Sequence, residues 1–420
     1  MRAITSGLGA PEVANFLGYR LSSAFQPLLS LDHRRVVGFE ALLRGYSLKN
    51  DKPASPLEIF EYAARWNRRI QLDRYCHGLH IHNFSRAAPA DRWLFLNLDS
   101  ETLGKKRYLD HIAQLLAEAK LPAHRLVVEI LENELGSDRL LFEAADYFRS
   151  LGALVALDDF GAGHSNFDRL WRFRPDIVKL DRSIVGEAER CTGFSHRGLL
   201  SNLVSMLHEI GSLVVVEGIE TEAQLNVALE ADADFVQGFL LAKPGPDCGE
   251  GGEAEDQLDA VSSRFALAQN AIDNETRRAL APYIQAFKAV ESKFEPGDTL
   301  KQNCQALLDM PGVLRCLLFN EQSEPIAEYF SNRPSAAADK RFLPVLDGQR
   351  GAWFRRPYMR EAKAFPLRIH VSRPYLSSTE GCMCMMLSVA NDREPRRVFC
   401  CKIHWPEYST SDRIPPANRG

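Results

Sequence analysis

Successive short apolar runs in residues 1–243 each end at a charged or amide side chain. These side chains belong to Glu40, Asn97, Glu129, the adjacent pair Asp158 and Asp159, Lys179, Glu217 and Gln237. Carboxylates that are brought close together repel one another strongly unless a cation neutralises them. Oxygen ligands without His or Cys favour a hard ion such as Mg²⁺ or Mn²⁺ over zinc. The Asp158–Asp159 pair could serve two such ions, as in sites that clamp a phosphodiester and activate water for in-line attack.

The sequence pattern around these apolar runs predicts the strands and helices that position the polar side chains. The runs alternate with polar turns and helical patterns, as in 110–119 and 140–151. Such alternation predicts βα units and a largely parallel sheet, and about 240 residues is the usual size of a (β/α)₈ barrel. The strands of a parallel barrel all end on one face, where barrel active sites lie. The sequence therefore predicts an α/β fold, a TIM-like (β/α)₈ barrel with converging acids; a chance alignment of surface acids is the alternative.

The same residues stand in motifs that resemble those of the EAL-domain family of cyclic di-GMP phosphodiesterases. The tripeptide that names the family is Glu40-Ala41-Leu42, followed by Leu43-Arg44. The other matching motifs are Phe25-Gln26-Pro27, Leu96-Asn97-Leu98, Glu129-Ile130-Leu131-Glu132, Asp158-Asp159-Phe160-Gly161-Ala162-Gly163, Val178-Lys179-Leu180-Asp181, Glu217-Gly218-Ile219-Glu220-Thr221 and Gln237-Gly238-Phe239 with Pro244 behind it. The resemblance covers roughly residues 20–245, and the joint occurrence of these motifs in order makes it specific.

The resemblance implies a site that holds two divalent ions, Mg²⁺ or Mn²⁺. The implied ligands are Glu40, Asn97, Glu129 and Asp158 for one ion and Asp158 and Asp159 for the other, with Glu217 reaching the metals directly or through water.

The resemblance also implies catalytic and substrate-binding roles. Lys179 would position the attacking water or deprotonate it, and Gln237 would bind that water or the metal shell. Glu220 would tie down the loop that begins at Asp159 and so couple dimer contacts to metal binding. Arg44 would contact a substrate phosphate, which its fork of donors suits. The implied substrate-binding set is Gln26, Leu42, Arg44 and Pro244, of which Gln26 and Pro244 line the guanine sites.

A different composition follows the barrel. Pro, Gly, Asp and Glu crowd the stretch 244–255, which reads as a linker. Apolar residues spaced three and four apart then predict a connecting helix over 258–294, which either packs on its own domain or serves as a dimer or relay helix. Short strand-like runs after residue 297 predict a smaller α+β domain. Its segments 353–358 and 371–377 resemble the Cache (PAS-like) sensory fold.

That second resemblance implies an unknown small-molecule ligand. The candidate pocket residues are Trp353, Arg356, Tyr358 and Tyr375; the alternative is that they pack and brace the sheet. The predicted domains are an N-terminal segment (1–19), the EAL barrel (20–248), a linker and connecting helix (249–297), a PAS/Cache-like sensory domain (298–410) and a C-terminal tail (411–420).

The overall composition and charge limit the kinds of binding partner and the cellular compartment that we expect. Lys and Arg number 51 against 55 Asp and Glu, a formal charge of −4, so nothing predicts duplex DNA or an anionic membrane as the main partner. No apolar run approaches the roughly 18 residues of a spanning helix, and the N-terminus lacks the core of a signal peptide. Nine cysteines without a CxxC pair fit free thiols in a reducing compartment. We therefore predict a cytoplasmic protein.

The resemblance to the EAL-domain family implies an enzyme that hydrolyses cyclic di-GMP to linear pGpG with two Mg²⁺ or Mn²⁺ ions. We expect a homodimer whose C-terminal sensory domain regulates the barrel in bacterial second-messenger signalling. The alternative is a catalytically inactive cyclic di-GMP receptor that relays occupancy to a partner. A carboxylate–metal lyase on a similar barrel is a third interpretation that rests on fold analogy alone.

Overall fold

The structure is a computed structural model that describes residues 12–99, 102, 105–131, 138–163, 167–190, 194–249, 251–291, 298–331, 353–377, 380 and 382–404. The chain divides into two compact units, Met1–Leu267 and Ala268–Gly420. The finer domain bounds given above stay a prediction. In the described ranges, no helix combines the length and the apolar character needed to cross a membrane.

The first unit is an α/β barrel. Its strands are β1 (Ala14–Phe16), β2 (Tyr19–Ser30), β3 (Arg35–Ser47), β4 (Lys52–Ala54), β5 (Trp93–Leu98), β6 (Leu126–Leu131), β7 (Leu154–Phe160), β8 (Ile177–Leu180), β9 (Leu213–Val216) and β10 (Phe235–Val236). Its helices are α1 (Pro56–Arg65), α2 (Arg69–Ala87), α3 (Lys106–Glu118), α4 (Asp138–Ser150), α5 (Phe167–Phe173), α6 (Arg182–Arg190), α7 (Phe194–Glu209) and α8 (Glu222–Glu230). Helix α9 (Gly252–Glu291) follows and retains Pro282 in its interior.

The strand order closes the barrel. The order β2-β10-β9-β8-β7-β6-β5-β3 returns to its start because β3 also pairs with β2. The pairs from β3 through β5 to β10 are parallel, in line with a largely parallel sheet. Strand β2 is antiparallel to both β3 and β10. The four residues between β2 and β3 are too few for a crossover helix, so these two strands form a hairpin.

Two layers of apolar side chains hold the barrel. An inner cluster takes one buried residue from each of seven barrel strands, namely Leu28, Phe95, Val127, Ala156, Ile177, Val215 and Phe235. An outer cluster joins strand residues such as Val128 and Val155 to helix residues such as Phe148 and Leu207. Because side chains alternate along a strand, one set fills the interior and the other packs under the helices.

The second unit is a six-stranded antiparallel sheet with helices, an α+β arrangement. Its strands are β11 (Val313–Phe319), β12 (Pro325–Phe330), β13 (His370–Val371), β14 (Tyr375–Leu376), β15 (Met383–Ala390) and β16 (Val398–His404), with helices α10 (Asp298–Leu308) and α11 (Pro357–Ala364). One apolar cluster joins the sheet to α10 and to the end of α9. A second cluster joins the sheet to α11. The order β12-β11-β16-β15-β13, with β14 also paired to β15, leaves β11, β16 and β15 central.

Candidate active site

The predicted site residues form the next layer of the barrel interior. Each lies two residues from a member of the inner apolar cluster: Asn97 after Phe95, Glu129 after Val127, Asp158 after Ala156, Lys179 after Ile177, Glu217 after Val215, Gln237 after Phe235, and Gln26 before Leu28 on the antiparallel β2. Side chains two apart on a strand point to the same side. The polar layer therefore sits directly on the apolar one.

Glu40 reaches this layer by a different route from the one expected. The sequence pattern places it at the end of a strand, but β3 continues for seven residues past it, to Ser47. The cause is pairing, since β3 stays hydrogen-bonded to β2 and then to β4 beyond the barrel rim. In register, Glu40 lies opposite Gln26 on β2.

Lys179 lies at the centre of four carboxylates. Its Nζ atom is 2.6 Å from Glu129 Oε1, 2.7 Å from Glu217 Oε1, 3.1 Å from Asp158 Oδ1 and 3.6 Å from Glu40 Oε2. The Lys179 side chain is only 1% exposed. Burial acts to lower the pKa of this ammonium, but the four carboxylates together raise its pKa well above the usual value. Lys179 is therefore a buried positive charge held by its acidic neighbours.

Several carboxyl groups of the site hold their protons more tightly than usual. Burial, with the repulsion of neighbouring acids, raises the pKa of Glu129 well above its ordinary value, although Lys179 opposes the shift. The same causes raise the pKa of Glu217 to about 8 and that of Asp159 to about 6. Clustered carboxylates behave in this way when too little positive charge is present to balance them.

Three of these acids meet closely enough to share a cation. Asp158, Asp159 and Glu217 each offer an oxygen, and these oxygens lie within 4.8 Å of one another. The pairing of β7 with β8 slips between Leu157 and Phe160, and Asp159 adopts a left-handed backbone with a φ of 56°. In a regular strand, adjacent side chains point to opposite faces. A bulge of this kind turns them so that both Asp158 and Asp159 can face the site. Asp159 N–H donates to Asp158 Oδ1 at 3.0 Å, which fixes the turn.

Amide side chains orient Glu40. Asn97 Nδ2 donates to Glu40 Oε1 at 3.1 Å, and Gln237 Nε2 donates to Glu40 Oε2 at 2.7 Å. Gln237 Nε2 also lies 3.2 Å from Gln26 Oε1, and Gln26 Nε2 donates to Ala242 O at 3.1 Å. Among the described residues, the buried atoms Gln237 Oε1 and Glu129 Oε2 have no hydrogen-bond partner. Buried acceptors without partners, in an all-oxygen donor set, fit a hard divalent cation.

A cavity of about 180 Å³ opens onto this layer. Its walls include Glu40, Glu217, Gln237, Gln26 and the exposed Glu220. The cavity is thus lined by five of the residues that the sequence predicted for the site.

Two further wall residues of the cavity, Arg182 and Phe239, were not predicted. Arg182 follows the Lys179 motif by one residue and begins α6, and Phe239 is 55% exposed. Phe239 lies within the motif of Gln237, and Arg182 lies next to the motif of Lys179. Their position in the sequence was therefore the only signal that could have predicted them as site residues. Arg182 packs against Gly218, where an added Cβ would lie 2.3 Å from Arg182 Cβ.

The other predicted substrate-binding residues lie outside the walls of this cavity. Leu42 and Arg44 follow Glu40 at intervals of two on β3, and Arg44 Nη1 donates to Leu43 O at 2.9 Å. Pro244 is placed beside β2 because Gly245 and Phe25 exchange two backbone hydrogen bonds. Leu42 and Arg44 therefore share a face of β3 with Glu40, beyond the barrel rim.

A buried network behind Asn97 was also not predicted. His77 Nε2 on α2 lies 2.9 Å from Asn97 O, and Tyr108 Oη lies 2.8 Å from His77 Nδ1. Tyr108 also donates to Asp73, whose pKa is raised by burial. The imidazole can donate to the Asn97 carbonyl and so holds the end of β5 against α2. The three histidines of α2 form no motif in the sequence, so nothing there predicted the contact of His77 with Asn97.

Three of the four residues predicted for a sensor pocket share one apolar cluster of the second unit. The rings of Tyr358 and Tyr375 stack with their centroids 6.0 Å apart. The ring centroids of Trp353 and Phe319 are 6.1 Å apart. Arg356 is the residue before α11 and is half-buried. Trp353 Nε1 is buried without a hydrogen-bond partner among the described residues.

Comparison with known proteins gives the family of the barrel. The model of the EAL domain matches residues 14–244. The relatives include the cyclic di-GMP phosphodiesterase RocR of Pseudomonas aeruginosa, 33% identical over 155 residues, which are 37% of this chain and 39% of RocR. The probable cyclic di-GMP phosphodiesterase PdeN of Escherichia coli is 27% identical over 229 residues, 53% of this chain and 43% of PdeN. The chain thus spans less than half of the length of these two relatives.

A solved structure shares the fold over nearly the whole chain. The Bacillus subtilis YkuI protein, solved with its EAL domain in complex with cyclic di-GMP and calcium, superposes with a TM-score of 0.72 at 21% identity. The match covers 92% of this chain and 96% of YkuI. The EAL domain model spans more than half of the 420 residues, and the chain belongs to the EAL domain family.

Proposed function

We propose that this protein hydrolyses cyclic di-GMP to linear pGpG. Membership of the EAL domain family supports this, as do relatives that are named cyclic di-GMP phosphodiesterases. The observation that carries the proposal is the meeting of Asp158, Asp159 and Glu217 oxygens within 4.8 Å of one another. Such an array at the mouth of a barrel suits in-line attack on a phosphodiester.

The charge of the site supports a pair of divalent ions, Mg²⁺ or Mn²⁺. The site holds one ammonium, from Lys179, and five carboxyl groups, from Glu40, Glu129, Asp158, Asp159 and Glu217, which gives a formal charge of −4 when every carboxyl group is ionised. Two divalent cations would balance that charge. Glu40, Asn97, Glu129 and Asp158 would hold one ion, and Asp158, Asp159 and Glu217 the other. When bound, the ions would supply Lewis-acid polarisation of the phosphodiester and its attacking water.

The chain's own groups then position the reactants. In the metal-free site, Lys179 is held as an ammonium by its four acidic neighbours. Two bound divalent ions would disfavour that charge, so orientation of the attacking water and abstraction of its proton are both open to Lys179. Gln237 uses its amide N–H groups on Glu40 and Gln26, so its free Oε1 can accept a hydrogen bond from the same water. Arg44 and Arg182 offer guanidinium groups for the phosphates, and Glu220 would stabilise the loop after Asp159.

We also propose that the second unit is a PAS/Cache-like sensory domain that regulates the barrel. The antiparallel sheet with α10 and α11 suits such a domain, and the cluster of Trp353, Tyr358 and Tyr375 beside Arg356 suits a small ligand. A cytoplasmic location belongs to the same proposal. A homodimer is supported by the exposure of Phe167 (43%) and Trp171 (57%) on α5, one helical turn apart.

Hydrolysis is tested by incubating the purified protein with cyclic di-GMP, first after chelation and then after addition of Mg²⁺ or Mn²⁺. We expect pGpG only with a metal, and its loss in Glu40→Ala and Asp158→Ala. Equal turnover by the wild type and both variants would refute the proposal. Tight binding of cyclic di-GMP without a metal-dependent product would instead support the receptor function.

A further inference from the structure

The second unit brings two thiols together at the start of β15. The Sγ atoms of Cys382 and Cys384 lie 3.8 Å apart, and Cys384 Sγ lies 3.5 Å from Cys382 O. Residues two apart on an extended strand share a face, and the chain bends at Cys382 before β15 begins at Met383. The bend turns the two side chains toward each other.

The two thiols differ in their access to solvent. Eight cysteines lie in the described part of the chain; seven of them are buried, and Cys382 is the exception, being half-buried. Cys191 falls outside the described residues. Solvent access is what a thiol needs to meet a small oxidant, and burial shields the other seven thiols from direct contact with one. Cys382 can therefore be reached first, with Cys384 close behind it.

The surroundings of the pair favour a thiolate on the accessible member. The hydrogen bond from Cys384 lowers the pKa of Cys382, and the positive charge of Lys402 acts in the same direction, against burial and Glu380. Lys402 is buried on β16, with its Nζ 3.0 Å from Ser377 Oγ and 3.7 Å from Glu380 Oε1. Strand β16 pairs with β15, which places Lys402 opposite Met386 and on the face of Cys384.

We propose that Cys382 and Cys384 form a reversible thiol–disulfide switch that exchanges with small-molecule disulfides. The Cys382 thiolate attacks one sulfur of the small disulfide, forms a mixed disulfide and releases one thiolate. Cys384 then gives its proton to solvent, and its sulfur attacks Cys382 Sγ and releases the second thiolate. Two electrons pass from the two cysteines to the small disulfide, which is reduced to two thiols.

The geometry indicates a labile bond rather than a structural one. Closure must bring the sulfurs from 3.8 Å to roughly 2.05 Å. The ring that closes contains a single intervening residue, Met383, and Cα atoms two residues apart on a strand are separated by roughly 6.6 Å, the upper end of the usual range for disulfide-bonded residues. Strained and exposed disulfides are the easily reduced ones. The pair should therefore respond to the ratio of reduced to oxidised thiol around it.

The test uses the full chain in mixtures of reduced and oxidised glutathione. After denaturing alkylation and digestion with trypsin, one peptide, 369–393, carries Cys382 and Cys384 and no other cysteine. A second peptide, 398–402, carries the buried neighbours Cys400 and Cys401 as an internal control. We expect a disulfide in 369–393 that forms about tenfold or more faster than any oxidation of 398–402, and that reverses in reduced glutathione.

Two variants test the order of attack. Cys384→Ser should accumulate the glutathione adduct on Cys382, because nothing resolves it, whereas Cys382→Ser should leave Cys384 as a free thiol. Equal adduct formation in the two variants would overturn the proposal. So would equal oxidation of the two wild-type peptides, or a 369–393 peptide that stays reduced in oxidised glutathione alone.

Discussion

Lys179 is the residue on which the electrostatics of the barrel site depends. Its ammonium lies within 3.6 Å of four carboxylates, three on β3, β6 and β7 and the fourth, Glu217, directly after β9. Buried like charges on separate strands would push the carboxyl ends of those strands apart. The lysine therefore stabilises the closed barrel, and it lies where it can contact a reacting water.

Replacement of Lys179 by Met should lower both stability and activity. The variant leaves buried carboxylates without their counter-charge, which costs about 3 kcal/mol in the metal-free protein, and it removes a group that orients water, which costs about 10²-fold or more in rate. Urea denaturation in the presence of a chelator measures the first effect, and the rate of pGpG formation measures the second. Lys106→Met, on an exposed helix start, is the control. Unchanged stability in Lys179→Met would contradict this role.

His80 should make the barrel sensitive to mild acid. Burial, followed by the charges of His77 and Arg44, lowers its pKa from 6.5 to about 3, and Ser23 Oγ lies 2.8 Å from its Nδ1. Below pH 6.5 the unfolded chain takes up a proton that the folded barrel excludes, so stability falls as the pH falls toward 3.

The matched variant is His80→Asn, whose amide oxygen can replace Nδ1 but cannot titrate. Between pH 8 and pH 5 the wild type should lose about 2 kcal/mol more unfolding free energy than the variant. Urea denaturation at the two pH values measures the difference. Parallel losses in the two proteins would show that His80 is protonated in the folded state.

The types and order of the site residues could be predicted from the sequence, but their contacts could not. Asn97, Glu129 and Lys179 each follow an inward-facing apolar residue by two, and that period is visible in the sequence. The central place of Lys179 depends on the closure of the ring, since its partners come from β3, β6, β7 and the residue directly after β9. The contact of His77 with Asn97 O depends on how α2 packs, which helical periodicity does not reveal.

At the scale of elements, the site depends on two departures from regular strands. The bulge in β7 presents both Asp158 and Asp159 to the site, and the β2–β3 hairpin carries Glu40 on a strand that continues past the barrel. The sequence predicts a strand ending at Glu40 because a charge follows an apolar run there. Cross-strand pairing with β2, which no local pattern encodes, keeps β3 extended instead.

Gly238, in the loop after β10, packs so closely against Ile219, in the loop after β9, that no side chain should be tolerated at position 238. A Cβ there would lie 2.1 Å from Ile219 O and 2.3 Å from Ile219 N, so Gly238→Ala must shift backbone that carries Glu217 and Gln237. A displacement of about 1 Å costs on the order of 10²-fold in rate. We expect pGpG formation to fall by about that factor, with a lower melting temperature.

Gly198→Ala is the control for that substitution. Gly198 lies in α7 with nothing within 4 Å of an added Cβ, so Ala should preserve activity and favour the helix. If Gly238→Ala also keeps full activity, the two loops do not fix the positions of Glu217 and Gln237 as we infer.

At the scale of the whole molecule, we expect α5 to form the contact between the two copies of the proposed dimer. Phe167 and Trp171 are exposed on this helix, which follows the loop that begins at Asp159. Trp171→Glu would place a charge in an apolar contact between copies. We expect the wild type to sediment as a dimer and this variant as a monomer with an unchanged melting temperature.

Leu57→Glu is the matched control for the dimer. Leu57 is 69% exposed on α1, which lies away from the Asp159 loop in the chain, and its substitution should leave the dimer intact. A Trp171→Glu variant that sediments with the wild type would exclude α5 as the dimer contact.

Metal-dependent hydrolysis of cyclic di-GMP by this cluster of acids, as we propose, can be measured directly. The most direct measurement is the rate of pGpG formation, with saturating Mg²⁺ or Mn²⁺, by the wild type, by Asp158→Asn and by Asp232→Asn, an exposed control. We predict product from the wild type and the control, and a loss of about 10²-fold or more in Asp158→Asn. Equal rates in all three proteins, or no product from any of them, would contradict hydrolysis at this cluster of acids.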